Sequence, residues 1–270
     1  MEGFLAASKD IVAGAKPFAF AFGFIHIAGR MTAPTSLDRP TRAYWSSCIA
    51  STFHGIGISF LAWEAMVSGG FWSSEDLTLT TPSSIRCCHI YIGYLAADLV
   101  PLIYFGAVTK SKAWKGAELY LVHHLLSLWS WGLMVARGHL HAVAVGLLLL
   151  EATAPFTNGR WFLATLEITK GTVYTINGVA MALSFLVFRV VLMGYILVRY
   201  VWVLREPFSA LPLDTRLTVL SCYAFGYPLQ LFWFQKIAKG LLKVLKGGST
   251  KAAAATPGSA RVTRSKAKTS

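Results

Sequence analysis

Residues 118–161 read ELYLVHHLLSLWSWGLMVARGHLHAVAVGLLLLEATAPFTNGRW, and this stretch decides the fold. It holds two apolar runs of helical length with only Arg137 and Gly138 between them. So short a joint predicts a tight helical hairpin. The first run carries the adjacent pair His123 and His124. The second ends on Glu151, Pro155, Asn158, Arg160 and Trp161. Ionisable groups in a bilayer-length helix are costly, so each needs a partner, a water-filled cavity or a chemical role.

The rest of the chain supports a membrane setting. Of 270 residues, 55% are hydrophobic and 14% charged, with mean hydropathy +0.54. Soluble domains carry roughly 25% charged residues, so this chain lacks the polar surface to stay in water. No basic n-region followed by a small-residue cleavage site marks a secretory signal. The net charge of +13 does not describe a nucleic-acid binder. Nine of the 25 basic residues fall within 236–270, with no acid among them. That places the basicity in a tail suited to an anionic membrane surface. Cys48, Cys87, Cys88 and Cys222 form no CxxC and lie in or beside apolar runs, which predicts reduced core residues.

A polytopic all-α bundle of six or seven spans follows, since each span needs about 20 mostly apolar residues. The segments fall near residues 17–29, 44–67, 87–105, 118–136, 139–154, 172–201 and 217–237. The first is short unless extended back through Lys16, Asp10 and Lys9, and it sets the count at six or seven. The fifth is expected to stop at Pro155, leaving Asn158, Arg160 and Trp161 in an interfacial turn. Phe232, Trp233 and Phe234 beside Lys236 and Lys239 predict an interfacial anchor. Basic residues in the loops after the first, third and fifth segments fall on the same side as the tail, which predicts a cytoplasmic C-terminus. The divisions are an N-terminal segment 1–43, a membrane domain 44–240 and a basic, disordered tail 241–270. Lys266 and Lys268 in the terminal KAKTS match a dilysine retrieval signal, so the expected address is the endoplasmic reticulum.

Several residues could carry chemistry. Adjacent helix positions point about 100° apart, so one of His123 and His124 faces a cavity while the other braces it. Either suits a general base or a nucleophile near neutral pH. Asp98 sits mid-segment, where it can orient a histidine or pair with Arg189. Glu151 lies too far from His141 for a contact along one helix and so faces another. Arg160 suits a phosphate. His54, with Ser51 and Thr52 nearby, and Asn177 suit hydrogen bonds across helices. Neither HxxxH nor ExxH occurs, and no metal site is expected.

The ordered set of stretches WSSCIASTFH (45–54), GYLAADL (93–99), His123–His124, EATAPFTNGRWF (151–162), INGVAMALSFLVFR (176–189) and FWFQKIAKG (232–240) resembles the TLC-domain family. That family is shared by translocating-chain-associating membrane proteins and ceramide synthases. The resemblance implies a helical bundle around a lipid-accessible cavity. It also implies a role for His123 or His124 like that of the ceramide synthase histidine pair, which takes part in acyl transfer from acyl-CoA to a sphingoid amine. One departure stands out. Ceramide synthases carry two closely spaced aspartates after the histidine pair, and here that region has one acid, Glu151.

Three readings of function stay open at this point. The first is a protein of lipid homeostasis that binds a membrane lipid in a polar intramembrane pocket. It would use His123, His124 and Asp98 with His54, Glu151, Asn158, Arg160, Trp161, Asn177 and Arg189. The second is an acyl-CoA-dependent N-acyltransferase of sphingolipid and ceramide metabolism, with acyl-CoA as co-substrate and no resident cofactor. The third is a partner in membrane-protein insertion. Membrane lipids are the expected partners, and a homo-oligomer is compatible with the sequence.

Overall fold

A computed structural model of the chain describes residues 2–245, and every regular element among them is helical. The helices are α1 (Glu2–Thr32), α2 (Arg39–Ser68), α3 (Pro82–Pro101), α4 (Ala117–Arg137), α5 (His141–Leu148), α6 (Ala154–Thr165), α7 (Thr172–Ser184), α8 (Met193–Leu197), α9 (Arg205–Ala210) and α10 (Leu213–Leu245). Several join into longer rods. A π-helical stretch, Leu102–Val108, continues α3 after Pro101. Proline has no N–H to donate, and a slipped register is one way around that gap. Leu149–Thr153 links α5 to α6 as a 3₁₀ turn, while Phe185–Leu192 and Val198–Val203 continue α7 and α8 as π-helix.

Six segments are long and apolar enough to cross a membrane: Ala7–Thr32, Pro82–Val108, Ala117–Arg137, His141–Thr165, Thr172–Val203 and Leu213–Lys243. The first expected segment thus has full spanning length. The 30-residue α2 reaches about 45 Å but is more polar. Its Ser46, Ser47, Ser51, Thr52 and His54 lower its hydropathy, and Ser47 and Ser51 line the cavity described below. The fifth expected segment is corrected. Pro155 does not end it; the segment runs on to Thr165, because Pro155 occupies the first turn of α6, where its missing N–H costs little. Asn158, Arg160 and Trp161 are therefore helical, not part of an interfacial turn. At the other end α10 continues past residue 240 to Leu245. The remaining tail, with Lys266 and Lys268, lies outside the described residues.

Local signals fix the helix ends. Asp38 caps α2 by accepting the Thr41 N–H at 2.9 Å, with Pro40 in the first turn. Thr81 and Ser84 form a reciprocal capping box at α3. Gly138 ends α4 at φ 61°, and Leu140 turns the chain into α5 at φ 57°, as the short joint predicts. The Leu140 N–H donates to the Leu77 carbonyl at 2.7 Å, tying this hairpin to the 69–81 loop.

The core collects Ile58, Met66, Phe71, Leu95, Leu148 and Ile196, with Ala15 and Phe22 of α1 in the same cluster. Outward faces carry Phe20, Phe24, Trp63, Val187 and Trp202. Between apolar lipid and apolar protein there is no hydrophobic drive to pack, so close approach of small residues carries more of the stability. Gly93 shows this: a Cβ there would lie 2.7 Å from the Ala15 carbonyl oxygen and from Phe18. Gly55 similarly brings α2 against Glu151 and Ala154.

Candidate functional site: an intramembrane polar cavity

The ends of α2, α3, α4, α6, α7 and α10 that meet at one face of the bundle enclose a cavity of about 690 Å³. This falls within the usual range for small-molecule sites, about 300–1,000 Å³. Its walls are aromatic and apolar, with Tyr44, Tyr91, Tyr94, Leu95 and Phe185 among them. Its polar groups come from both apolar runs of the 118–161 stretch and from α2, α3, α7 and α10.

At the centre stands Asp98 of α3. One carboxylate oxygen lies 3.0 Å from His124 Nε2 of α4, and the other lies 3.4 Å from His26 Nε2 of α1. His124 Nδ1 lies 2.9 Å from the Tyr120 carbonyl oxygen one turn earlier. A carbonyl only accepts, so Nδ1 carries a hydrogen. The other ring nitrogen, Nε2, faces the Asp98 carboxyl group. His123 behaves differently. Its ring meets His124 edge-on, with centroids 5.9 Å apart, and its side chain is open to the cavity. Both neighbouring histidines line the cavity, His124 held by Asp98 and the Tyr120 carbonyl and His123 more exposed.

A second polar group lies across the cavity. Arg189, in the π-helical turn after α7, donates from Nε to Thr153 Oγ1 at 2.7 Å and from Nη1 to Gln230 Oε1 at 3.5 Å. Its Nη2 stands 3.9 Å from Glu151 Oε1. Arg189 therefore pairs with Glu151 and not with Asp98, which His124 bonds and His26 approaches. Glu151 faces another helix, as its spacing predicts. Asn158 donates to the Cys48 carbonyl at 3.1 Å and to Thr52 Oγ1 at 3.0 Å, locking α6 to α2. Arg160 donates to the Tyr174 carbonyl at 2.9 Å, with its guanidinium 3.3 Å from the Tyr174 ring centroid.

Seven sequence-chosen residues therefore line one cavity: Asp98, His123, His124, Glu151, Asn158, Arg160 and Arg189. Three others stand outside its wall. His54 is buried against the face of Tyr94, with centroids 4.0 Å apart and ring planes 10° from parallel. Trp161 backs Tyr44 at 4.8 Å. Asn177 packs on Gly159 between α6 and α7. His26 went unnoticed in the sequence, although a histidine in the apolar run PFAFAFGFIHIAG carries the same cost as those that were singled out. Lys115, Lys236, Lys239 and Lys243 also line the cavity. His26 and His124 approach different oxygens of Asp98. Among the described residues no group of three His, Cys, Asp or Glu side chains forms a metal-ligand set.

Comparison with known proteins agrees with this architecture. The family model described as the TLC domain matches residues 44–239, and the chain belongs to the TLC-domain family. It is similar to TLC domain-containing protein 4 of Homo sapiens, 29% identical over 222 residues, which covers 78% of each chain. TLC domain-containing protein 4-B of Danio rerio is 28% identical over 212 residues, 75% of each chain. TLC domain-containing protein 4 A of Dictyostelium discoideum is 26% identical over 214 residues, 79% of this chain and 80% of that one. No solved structure matches the chain. The membrane domain and the six spanning-length helices make this an integral membrane protein.

Proposed function

We propose that the cavity binds an amphipathic membrane lipid and that the protein acts in lipid homeostasis. The observation that carries this reading is the cavity itself, with aromatic walls around a carboxylate–imidazole pair and an open His123. The lipid chain would lie along Tyr91, Leu95 and Phe185. A polar linkage of the lipid, such as an ester or amide, would meet His123. Glu151 and Arg189 satisfy each other's charge within the wall, so the ligand need not supply a counter-ion at that point.

The Asp98–His124–His123 arrangement also supports a second reading, N-acyl transfer from acyl-CoA. In that step an amine nitrogen attacks the thioester carbonyl and forms the amide bond. The carbon–sulfur bond breaks, and His123 passes the amine proton to the departing CoA thiolate. The sequence argues against this reading, because the only acid in the region after the histidine pair is Glu151, and Arg189 engages it.

Intact-mass spectrometry after incubation with a long-chain acyl-CoA, read alongside assay of the free CoA thiol, separates the two. Lipid binding predicts no covalent acyl adduct and no CoA release when a sphingoid amine is added. Turnover with the amine that is lost in His123→Ala would replace lipid binding with the transferase reading.

A further inference from the structure

The rim of the cavity carries a charge pattern that the interior polar groups do not explain. Lys115, Arg160, Lys236, Lys239 and Lys243 all line it, and among the described residues none is paired with a carboxylate. Lys236 Nζ lies 4.2 and 5.1 Å from the Phe232 and Trp233 ring centroids, a cation–π contact that fixes where its ammonium stands. Two helices also begin at this rim. α4 starts after Gly116 and α7 after Gly171, and neither has a side-chain cap. Ala117 and Leu119 of α4 and Tyr174 and Thr175 of α7 are part of the lining. Uncapped first-turn N–H groups and the positive end of the helix dipole favour an anion. Glu118, the acid in the first turn of α4, does not line the cavity.

We propose that this collar is a phosphate site, and that the lipid held by the cavity carries a phosphate monoester at its head, with its chain directed inward past His123. The inference rests on the lipid-binding reading above and adds the class of headgroup. A zwitterionic choline head would place a cation among the five, and like charges so close repel. A phosphate monoester offers three acceptor oxygens to lysine ammonium groups, the Arg160 guanidinium and backbone N–H groups together.

The test uses the full-length protein in a non-ionic detergent and measures displacement of a fluorescent lysolipid. The competitors are lysophosphatidate and lysophosphatidylcholine with the same acyl chain. The wild type is expected to prefer lysophosphatidate by about tenfold at low salt, the scale of one extra charge-assisted hydrogen bond. Combining Lys236→Gln, Lys239→Gln and Lys243→Gln should remove most of that preference, weakening lysophosphatidate more than lysophosphatidylcholine. Raising the salt on the wild type should erode the preference too, because the Debye length falls to about 3 Å at 1 M. The salt series decides the matter if the triple variant fails to fold. Equal affinity for the two lysolipids, or a preference that survives both salt and the triple substitution, overturns the phosphate collar but keeps lipid binding. Inorganic phosphate that displaces lysophosphatidate as well as the lysolipid does would make this a free-phosphate site and overturn the lipid headgroup. Failure of both lysolipids to bind overturns the lipid-binding reading itself.

Discussion

Asp98 faces two imidazoles with one carboxylate and is largely buried. Removing one member of a buried charged pair strands the other, which costs about 3–5 kcal/mol. Asp98→Asn is therefore expected to lower stability by about 3 kcal/mol, read as a fall in the detergent unfolding temperature. His123→Ala should cost under about 1 kcal/mol, since its ring opens on the cavity and has no hydrogen-bond partner among the described residues. Equal destabilisation by the two would show that His123 is a packing residue, not a ligand-facing one. The sequence made His123, His124 and Asp98 legible because each sits in an apolar run where its cost is obvious. Their division of labour follows from 3.6 residues per turn. The pairing of Asp98 with His26 and the stacking of His54 on Tyr94 depend on how separate helices cross, and no periodicity within one helix encodes that.

At the level of the helices, contact between α1 and α3 depends on a missing side chain. Gly93→Ala would push a Cβ to 2.7 Å from the Ala15 carbonyl oxygen, a backbone atom that cannot rotate away. The expected cost is about 1–3 kcal/mol as the helices separate, and His26 should move off Asp98 with α1. Gly23→Ala on α1 is the matched control, because nothing lies within 4 Å of its Cβ position. Thermal unfolding of the two variants, with a cysteine cross-link between α1 and α3 as a distance reporter, checks this. A neutral Gly93→Ala would mean that the two helices do not touch as described. Gly138 correctly marked the α4–α5 hairpin. Pro155 suits a helix stop in sequence, but after a 3₁₀ turn it begins the next helix, and proline alone does not distinguish an end from a first turn. The polar character of α2 has the opposite cause: its serines line the cavity, so hydropathy alone undervalues a helix that belongs to the bundle.

Seen whole, the molecule turns many aromatic and branched side chains outward, while Asp98, His123, His124, Glu151 and Arg189 meet in one cavity. Composition was enough to establish a membrane bundle, since so few charged residues cannot cover a water-soluble surface. The walls of the cavity were not legible, and its existence was implied only by the family resemblance, because empty space is set by how six elements splay at one face. In sequence Lys236 and Lys239 read as an anchor and Lys243 as tail, whereas in the fold they line one cavity with Lys115 and Arg160. The most direct test of lipid binding is native mass spectrometry of the purified protein beside Ser51→Trp, a substitution that fills the cavity from α2. Wild type should retain a co-purifying lipid, and Ser51→Trp should lose it while keeping the wild-type unfolding temperature. A wild-type protein that carries no lipid and takes none up from mixed vesicles, or a Ser51→Trp variant that holds lipid as well as the wild type, would place any bound lipid outside this cavity and end the proposal.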